Sequence, residues 1–177
     1  MRLRNLCSEE DRWRALPAWG PEPEAPSGTS WRALMLRALR LAGRAARAGE
    51  VPVGALVVSP EGGVLGSAHN ETESLRDPTA HAEVLALRRA AAAAGNHRLS
   101  GCVLVVTLEP CLMCTGAIRE SRISGVVFGA SDARAGAVIS CLEGLDYAHA
   151  GGAPWSYGGV EAKACADVLR TFFRVRR

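Results

Sequence analysis

One histidine and a pair of closely spaced cysteines constrain the fold of this chain more than any other feature. His81 is followed, thirty positions later, by the segment Pro110-Cys111-Leu112-Met113-Cys114. Histidine nitrogen and cysteine sulfur are ligands that zinc prefers, and three protein ligands leave the fourth tetrahedral position open for water. Zinc lowers the pKa of such a water to about 7. The chain is therefore expected to fold so that these three side chains meet at one point.

The residues around each ligand predict two helix starts that point towards this metal. Cys111 and Cys114 are three positions apart, so on a helix their sulfur atoms share one face. The positive end of a helix dipole also lowers the pKa of a thiol, which favours thiolate ligands. His81 lies at the start of a different predicted helix, and Glu83 follows it about 200° further around an ideal helix. In the first turn the two side chains can still flank one site, and we predict that Glu83 carries the proton of the water.

Two other interpretations of the cysteine pair remain open, a redox dithiol and one half of a closed structural zinc site. A closed site needs a fourth protein ligand. The candidates form no second tight pair: Cys102, Cys141, Cys165, His69, His97 and His149. Cys102 and Cys165 lie in apolar segments and are predicted to be inert core thiols. The combined motif favours catalytic zinc over both other interpretations.

The composition limits the class of protein. Hydrophobic residues make up 48% of the chain, which favours a globular domain. The formal net charge of +3 permits a local basic patch but does not demonstrate nucleic-acid binding. Scattered cysteines favour a reducing compartment, and we expect a cytoplasmic protein. No apolar run approaches the roughly 18 residues of a membrane span, and the N-terminus lacks the apolar segment of a secretory signal.

Hydrophobic periodicity divides the chain into a tail and one domain. Residues 1–29 are predicted to be a poorly ordered, proline-rich extension, and residues 30–177 to be the domain. Helices are predicted at about Ser30–Ala48, Ala80–Ala94, Cys111–Ser121 with Pro110 in the first turn, and Val160–Phe173. Strands are predicted at Val51–Ser59, Val64–His69, Cys102–Leu108 and Gly125–Gly129, and loops at 70–78 and 132–136. Because strands alternate with helices, this order predicts a three-layer α/β/α domain around a central mixed sheet.

The pattern H-x-E…P-C-x-x-C is typical of zinc-dependent base deaminases. At these residues the chain resembles the bacterial tRNA-specific adenosine deaminases, the TadA family of the cytidine-deaminase-like superfamily. The resemblance covers about residues 30–177 and is carried by these segments: Gly49–Ala55, Asp77–Glu83, Thr107–Cys114, Val126–Asp132 and Phe172–Arg177. It implies the cytidine-deaminase-like version of the three-layer α/β/α fold.

The resemblance also implies a function, conversion of adenosine to inosine at the wobble position of the tRNA anticodon stem-loop. It implies that His81, Cys111 and Cys114 bind one zinc ion per subunit and that Glu83 shuttles protons. The implied substrate contacts are Asn70, the backbone of Ala82, and Asp132. The implied RNA contacts are Phe173, Arg174, Arg176 and Arg177. A homodimer is implied as well, because in the family both subunits shape the RNA site.

Two alternative functions remain open. One is a deaminase of a free nucleobase or nucleoside, of the guanine or cytosine type, and the other is a non-catalytic zinc module that binds nucleic acid. The basic end of the chain favours RNA, because phosphate contacts dominate RNA affinity. A non-catalytic module has no reason to place Glu83 beside an open metal position. Several implied contacts also have structural interpretations: Asn70 as a turn residue, Asp132 as a loop aspartate, Phe173 as a core residue, and the terminal arginines as a solvated helix end that the dipole favours.

Overall fold

The structure is a computed structural model that describes residues 12–14, 21–146 and 152–176. Its elements in chain order are β1 (Trp13–Arg14), α1 (Trp31–Arg47), β2 (Gly54–Val58), β3 (Val64–His69), α2 (Thr72–Leu75), α3 (Ala82–Ala94), β4 (Val103–Leu108), α4 (Leu112–Glu120), β5 (Gly125–Asp132), β6 (Trp155–Gly158) and α5 (Ala162–Val175).

The strands form one mixed sheet in the order β1-β5-β4-β2-β3, with β6 also paired to β5. β2 is antiparallel to β3 and β4, whereas β4 and β6 run parallel to β5. β6 pairs with the first half of β5, and β1 pairs antiparallel with its last two residues. β1 and β6 therefore lie end to end along the edge of β5 that faces away from β4. The prediction of a central mixed sheet is confirmed.

Helices cover both faces of the sheet, as the alternation of buried side chains requires. In β4, Leu104 and Val106 pack in the apolar cluster that contains α3 and α4. Val103 and Val105 point the other way, into the cluster that contains α1 and α5. The three-layer α/β/α architecture is thus confirmed, with β4 and β5 buried between the two helical layers.

The predicted segment 70–78 is not only a loop, because it contains the short helix α2. This helix forms because the buried Glu50 carboxylate accepts hydrogen bonds from the backbone N–H groups of Glu73 and Ser74, at 3.1 and 2.8 Å. The placement of Pro110 in the first turn of a helix is also wrong. Cys111 is the N-cap of α4, so Pro110 lies before the helix.

Two further boundaries differ at the far side of the sheet. β5 continues to Asp132, where a loop was predicted, because β1 supplies backbone partners for Ser131 and Asp132. β6 lies in a glycine-rich stretch for which the sequence predicted no element, and it gains its hydrogen bonds from β5. Both additions depend on pairing between segments that are distant in sequence.

The described residues of the proline-rich extension pack on the domain. Trp13 is buried, Trp31 Nε1 donates a hydrogen bond to the Pro23 carbonyl at 2.6 Å, and Ser27 N donates to the Pro60 carbonyl at 3.1 Å. At these residues the structure differs from the predicted loose tail, since two tryptophans anchor the segment. Residues 1–11 and 15–20 lie outside the described residues, and the division at residue 29 remains a prediction.

No helix in the described ranges combines the length and the apolar character needed to cross a bilayer.

Candidate zinc and substrate site

The three predicted metal ligands meet at one edge of the sheet. His81 is the N-cap of α3, and Cys111 is the N-cap of α4, with Cys114 in its first turn. α4 connects the parallel strands β4 and β5, so its N-terminus lies at their carboxyl ends, where sites in such sheets are usually built. Two helix N-termini thereby converge on one point, as the sequence predicts.

The ligand atoms have the spacing of a tetrahedral zinc site. His81 Nδ1 lies 3.5 Å from Cys114 Sγ and 3.7 Å from Cys111 Sγ, and the three ligand atoms are all within 4.8 Å of one another. Zinc bonds of about 2.3 Å to sulfur and about 2.0 Å to nitrogen, at tetrahedral angles, would place nitrogen and sulfur roughly 3.5 Å apart. The donor set therefore fits zinc without rearrangement.

Within the described part of the chain, this group contains three ligands and no fourth. Cys102 and Cys165 are buried in the core, away from the group, and burial raises the pKa of both thiols, to about 12 for Cys165. This agrees with the predicted inert role. His149 lies outside the described residues. Three ligands with an open fourth position are the arrangement of a catalytic zinc site rather than a closed structural one.

The electrostatics of the site also favour a cation. Hydrogen bonds from the Cys114 thiol and from His81 lower the pKa of Cys111 to about 4, against the opposing effect of burial. The pKa of Cys114 is raised, because its thiol is hydrogen-bonded to Cys111, is buried and lies beside Glu83. The hydrogen bond with Cys111 raises the pKa of His81. The raised pKa values of Cys114 and Glu83 beside the Cys111 thiolate show that further negative charge is disfavoured here, and a divalent cation would relieve that penalty.

Glu83 lies in the first turn of α3 and is 4% exposed. Burial raises the pKa of its carboxyl group, and the Cys114 thiol is within hydrogen-bonding reach of it. The structure thus brings Glu83, the predicted proton carrier, to the metal ligands, although His81 and Glu83 are separated by about 200° on an ideal helix. Glu83 can do so because His81 is the extended N-cap residue and not yet helical.

Asn70 is buried directly after β3, and its Oδ1 accepts a hydrogen bond from Ala82 N at 2.8 Å. This contact holds the start of α3 in place. It also engages the N–H of Ala82, the residue whose backbone is predicted to contact the substrate. Among the described residues, Asn70 Nδ2 has no hydrogen-bond partner.

Asp132 is buried at the end of β5, and its carboxylate has protein partners. Arg12 Nε and Nη2 donate to its two oxygens at 3.1 and 3.0 Å. The backbone N–H groups of Arg134 and Ala135 donate to Oδ1 at 2.9 and 3.2 Å. The sequence did not predict these partners, because Arg12 is 120 positions away.

The predicted RNA-binding residues at the end of α5 have mixed environments. Phe173 is half-buried and stacks on Trp13 with ring centroids 4.9 Å apart, so one face of its ring is used in packing, and its predicted contact with RNA stays a prediction. Arg174 is exposed, and Arg176 donates to the Gly49 carbonyl at 3.0 Å while lying over the Phe172 ring. Arg177 lies outside the described residues.

One carboxylate that the sequence did not single out organises the loop beside the metal ligands. Glu109 is buried, and its oxygens accept hydrogen bonds from four backbone N–H groups and one hydroxyl. The donors are Asp132 N, Val138 N, Ile139 N, Ser140 N and Ser140 Oγ. Its position between a buried strand and the P-C-x-x-C segment could have indicated this role in the sequence, because a carboxylate that is buried needs several hydrogen-bond partners.

The family described as the cytidine and deoxycytidylate deaminase zinc-binding region matches residues 29–130. A tRNA-specific adenosine deaminase of Haemophilus influenzae is 44% identical over 144 residues, which is 81% of this chain and 83% of that protein. A tRNA(Ile)-lysidine synthase of Deinococcus deserti is 48% identical over 143 residues, 81% of this chain. The chain spans only 27% of the length of that relative.

Solved structures of deaminases are also similar to this chain. A structure from a study of A-to-I editing by tRNA:A34 deaminases at the wobble position of transfer RNA is 40% identical, with a TM-score of 0.73, and the match covers 77% of this chain and 99% of that one. A structure described as guanine deaminase from Nitrosomonas europaea is 27% identical, with a TM-score of 0.68, over 92% of this chain and 88% of that one.

Proposed function

Because the chain belongs to the cytidine and deoxycytidylate deaminase family, we propose that it is a zinc-dependent hydrolase that converts adenosine to inosine at the wobble position of tRNA. The chemistry is supported by the three-ligand group with Glu83 beside it. The substrate is supported by 44% identity to a tRNA-specific adenosine deaminase across most of both chains.

His81, Cys111 and Cys114 are the residues that would hold zinc, one ion per subunit. When bound there, zinc would act as a Lewis acid that makes a water molecule acidic near neutral pH. The same three residues fix the position of the reaction at the carboxyl ends of β4 and β5. Their approach from two different helices also ties the site to the packing of α3 against α4.

Glu83 is the proposed general acid and base. It would take one proton from the attacking water and deliver it to N1 of adenine as the water oxygen bonds to C6. It would then take the remaining proton from that oxygen and give it to the amino group, so that the C6–N bond breaks, ammonia leaves and C6 becomes a carbonyl. Accepting and then donating a proton requires a carboxyl group whose charged and neutral forms are close in free energy. Burial raises the pKa of Glu83, which brings its affinity for a proton closer to that requirement.

Asn70 is the proposed contact to the flipped base, because its Oδ1 is held by Ala82 N while Nδ2 is a donor with no partner among the described residues. We propose that Ala82 acts by orienting Asn70. Asp132 is proposed to shape the wall of the nucleotide site through the turn that its carboxylate holds.

For the RNA backbone we propose Arg174, Arg176 and Arg177. Arg176 uses one N–H donor on Gly49, and a guanidinium group has five, so donors remain for phosphate. The contact with Gly49 also places the end of α5 next to the segment that leads into β2, close to Glu50 and α2. Arg176 therefore lies towards the same edge of the sheet as the metal ligands.

We further propose a homodimer, with a cytoplasmic location. Apolar side chains are exposed beside the metal ligands, on the first turn of α4 and on the loop that packs against it. These are Leu112, Met113, Ile139 and Leu142, of which Leu112 is 61% exposed. A second copy of the chain would bury them. Sedimentation of the protein, with Leu112→Glu for comparison, tests this: a monomer at all concentrations in both proteins would contradict it.

The decisive experiment compares substrates for the zinc-loaded protein. An adenosine-bearing anticodon stem-loop is offered beside free adenine, guanine and cytosine, with inosine and ammonia as the readouts. We expect inosine in the stem-loop and little ammonia from the free bases. A deaminase of free guanine is the second candidate, favoured by the similarity to guanine deaminase, and turnover of guanine without inosine would establish it instead.

A further inference from the structure

Arg12 makes a two-pronged ion pair with Asp132 at the margin of the site. Its Nε and Nη2 lie 3.1 and 3.0 Å from the two carboxylate oxygens. The Asp132 side chain is 4% exposed, whereas that of Arg12 is 28% exposed. Paired donation of this kind fixes both position and orientation of a carboxylate. Arg12 lies outside residues 29–130, the part of the chain that matches the family.

The segment that carries Arg12 is anchored on the domain by several independent contacts. Trp13 pairs with Asp132 in the sheet and stacks on Phe173 of α5. Arg170 Nη2 donates to the Trp13 carbonyl at 2.7 Å, and Ala133 N donates to the Arg12 carbonyl at 2.9 Å. The segment 12–14 thus joins the end of β5 to the helix whose last residues are proposed to bind RNA.

Hydrogen bonds connect Asp132 to the backbone beside the predicted metal ligand Cys111. Its Oδ1 accepts hydrogen bonds from the N–H groups of Arg134 and Ala135, which define the turn after β5. That turn brings Gly136 into a backbone bridge opposite Cys111, and Ala137 N donates to the Pro110 carbonyl at 2.8 Å. A continuous chain of contacts therefore runs from Arg12 to the backbone of a proposed zinc ligand.

We propose that Arg12 is a positioning residue for the RNA substrate. It holds the Asp132 carboxylate, and with it the turn beside Cys111, and it cancels a negative charge that would otherwise face the RNA phosphates at this margin. The inference rests on the proposed function, because it takes RNA to be the substrate. It assigns a role in substrate binding to a segment that lies outside the family match.

The first test is the salt dependence of kinetics in Arg12→Ala. The variant leaves Asp132 unpaired, so KM for the anticodon stem-loop is expected to rise about tenfold at low salt, with kcat changed by less than about twofold. The ratio of the two KM values should shrink as salt is added, because salt screens the repulsion. A KM equal to that of the wild type, or a KM ratio that does not depend on salt, overturns the proposal.

Two further variants separate positioning from direct contact and from misfolding. Arg12→Lys keeps the charge and should recover most of the KM. Arg12→Ala combined with Asp132→Asn removes the unpaired charge, while the asparagine Oδ1 still accepts from Arg134 and Ala135, so KM should also recover. If the double variant stays as weak as Arg12→Ala, Arg12 binds phosphate itself and the proposal is wrong.

Controls keep this result separate from the proposed function. Arg32→Ala removes an exposed arginine that pairs with Glu161 on another surface, and it should leave KM unchanged. Zinc content and thermal unfolding are measured on every variant. If the wild type makes no inosine in the stem-loop, the proposed function has failed. If the wild type is active and Arg12→Ala matches it, only the role of Arg12 has failed.

Discussion

Glu83 is the single residue on which the proposed chemistry most depends. It is buried, and its carboxyl group has hydrogen bonds with its own backbone N–H and with the Cys114 thiol, both of which a glutamine Oε1 could also accept. In Glu83→Gln, we expect zinc content and unfolding temperature to be retained and turnover to fall by at least about 10²–10⁴-fold, the usual contribution of a general acid–base group. Exposed Glu73→Gln is the matched control and should remain active. Near-normal inosine formation by zinc-loaded Glu83→Gln would contradict the assignment.

Glu50 has a structural role that depends on pH. Burial opposes its ionisation, but hydrogen bonds from Ser74, Glu73 and Thr72 outweigh burial and lower its pKa below the ordinary value of 4.5. A lowered pKa contributes stability that is present above the ordinary value and is lost as the pH falls through the folded-state pKa. We therefore expect Glu50→Gln to reduce the free energy of unfolding by about 1–3 kcal/mol at pH 7.

The deficit of Glu50→Gln should shrink as the pH falls below the ordinary value of 4.5 and through the lowered pKa of the folded protein, because the wild-type carboxyl group is then protonated too. Denaturant unfolding at a series of pH values measures this. A deficit that is the same at acidic and neutral pH would mean that shape, and not charge, makes Glu50 necessary for α2.

Residue type alone made some of these sites predictable. Histidine and cysteine at this spacing indicate zinc binding, so His81, Cys111 and Cys114 could be predicted as ligands from the sequence. The partners of Asp132 and Glu109 could not, because a carboxylate gives no sign of which distant backbone or cation will satisfy it. Phe173 was ambiguous for the same reason, since stacking on Trp13 depends on a segment far away in the sequence.

At the scale of elements, close packing between helices and the sheet depends on glycine in the strands. A Cβ at Gly66 of β3 would lie 2.3 Å from the Ala86 carbonyl oxygen and 2.6 Å from Ala90 N, both on α3. We expect Gly66→Ala to push α3 away from the sheet and to destabilise the protein by about 1–3 kcal/mol, as overpacking does.

Gly116→Ala is the control for Gly66→Ala, because a Cβ at this position in α4 meets nothing within 4 Å. Replacing a helical glycine by alanine should stabilise the protein by about 0.5–1 kcal/mol. Thermal and denaturant unfolding of the two variants provide the comparison. Destabilisation of both by similar amounts would show that the packing argument for Gly66 is wrong.

Elements with local signals were predictable, and those that depend on pairing were not. α1 has a serine N-cap and an apolar stripe, and it begins one residue after Ser30, as predicted. β6 has only four residues, too few for a clear periodicity, and it exists because β5 offers it hydrogen bonds. α2 likewise depends on Glu50, which is not its neighbour in sequence.

At the scale of the whole molecule, zinc should stabilise the fold because its ligands belong to α3 and α4. Because zinc binds the folded protein, it adds to the free energy of unfolding about 2.7 kcal/mol at a zinc concentration of one hundred times Kd, and a chelator removes this contribution. At roughly 2–4 °C for each kcal/mol in a protein of this size, the unfolding temperature should fall by about 5–10 °C. Calorimetry with and without chelator measures the shift. Cys111→Ser should bind zinc poorly and show little further change, and an equal shift in that variant would exclude this site as the cause.

The two short strands that share one edge of β5 set an order for folding. β6 lies near β5 in sequence, but Trp13 pairs with Asp132 across 119 positions. Because the loop closed by this pairing is longer than the connection between β5 and β6, its closure costs more entropy, and β1 is expected to dock only after the rest of the sheet has formed. During synthesis β1 would leave the ribosome before the other described strands and yet join the sheet after them. The amide of Ala133, which is bonded to Arg12, should accordingly exchange its hydrogen with solvent sooner than the amides between β4 and β5.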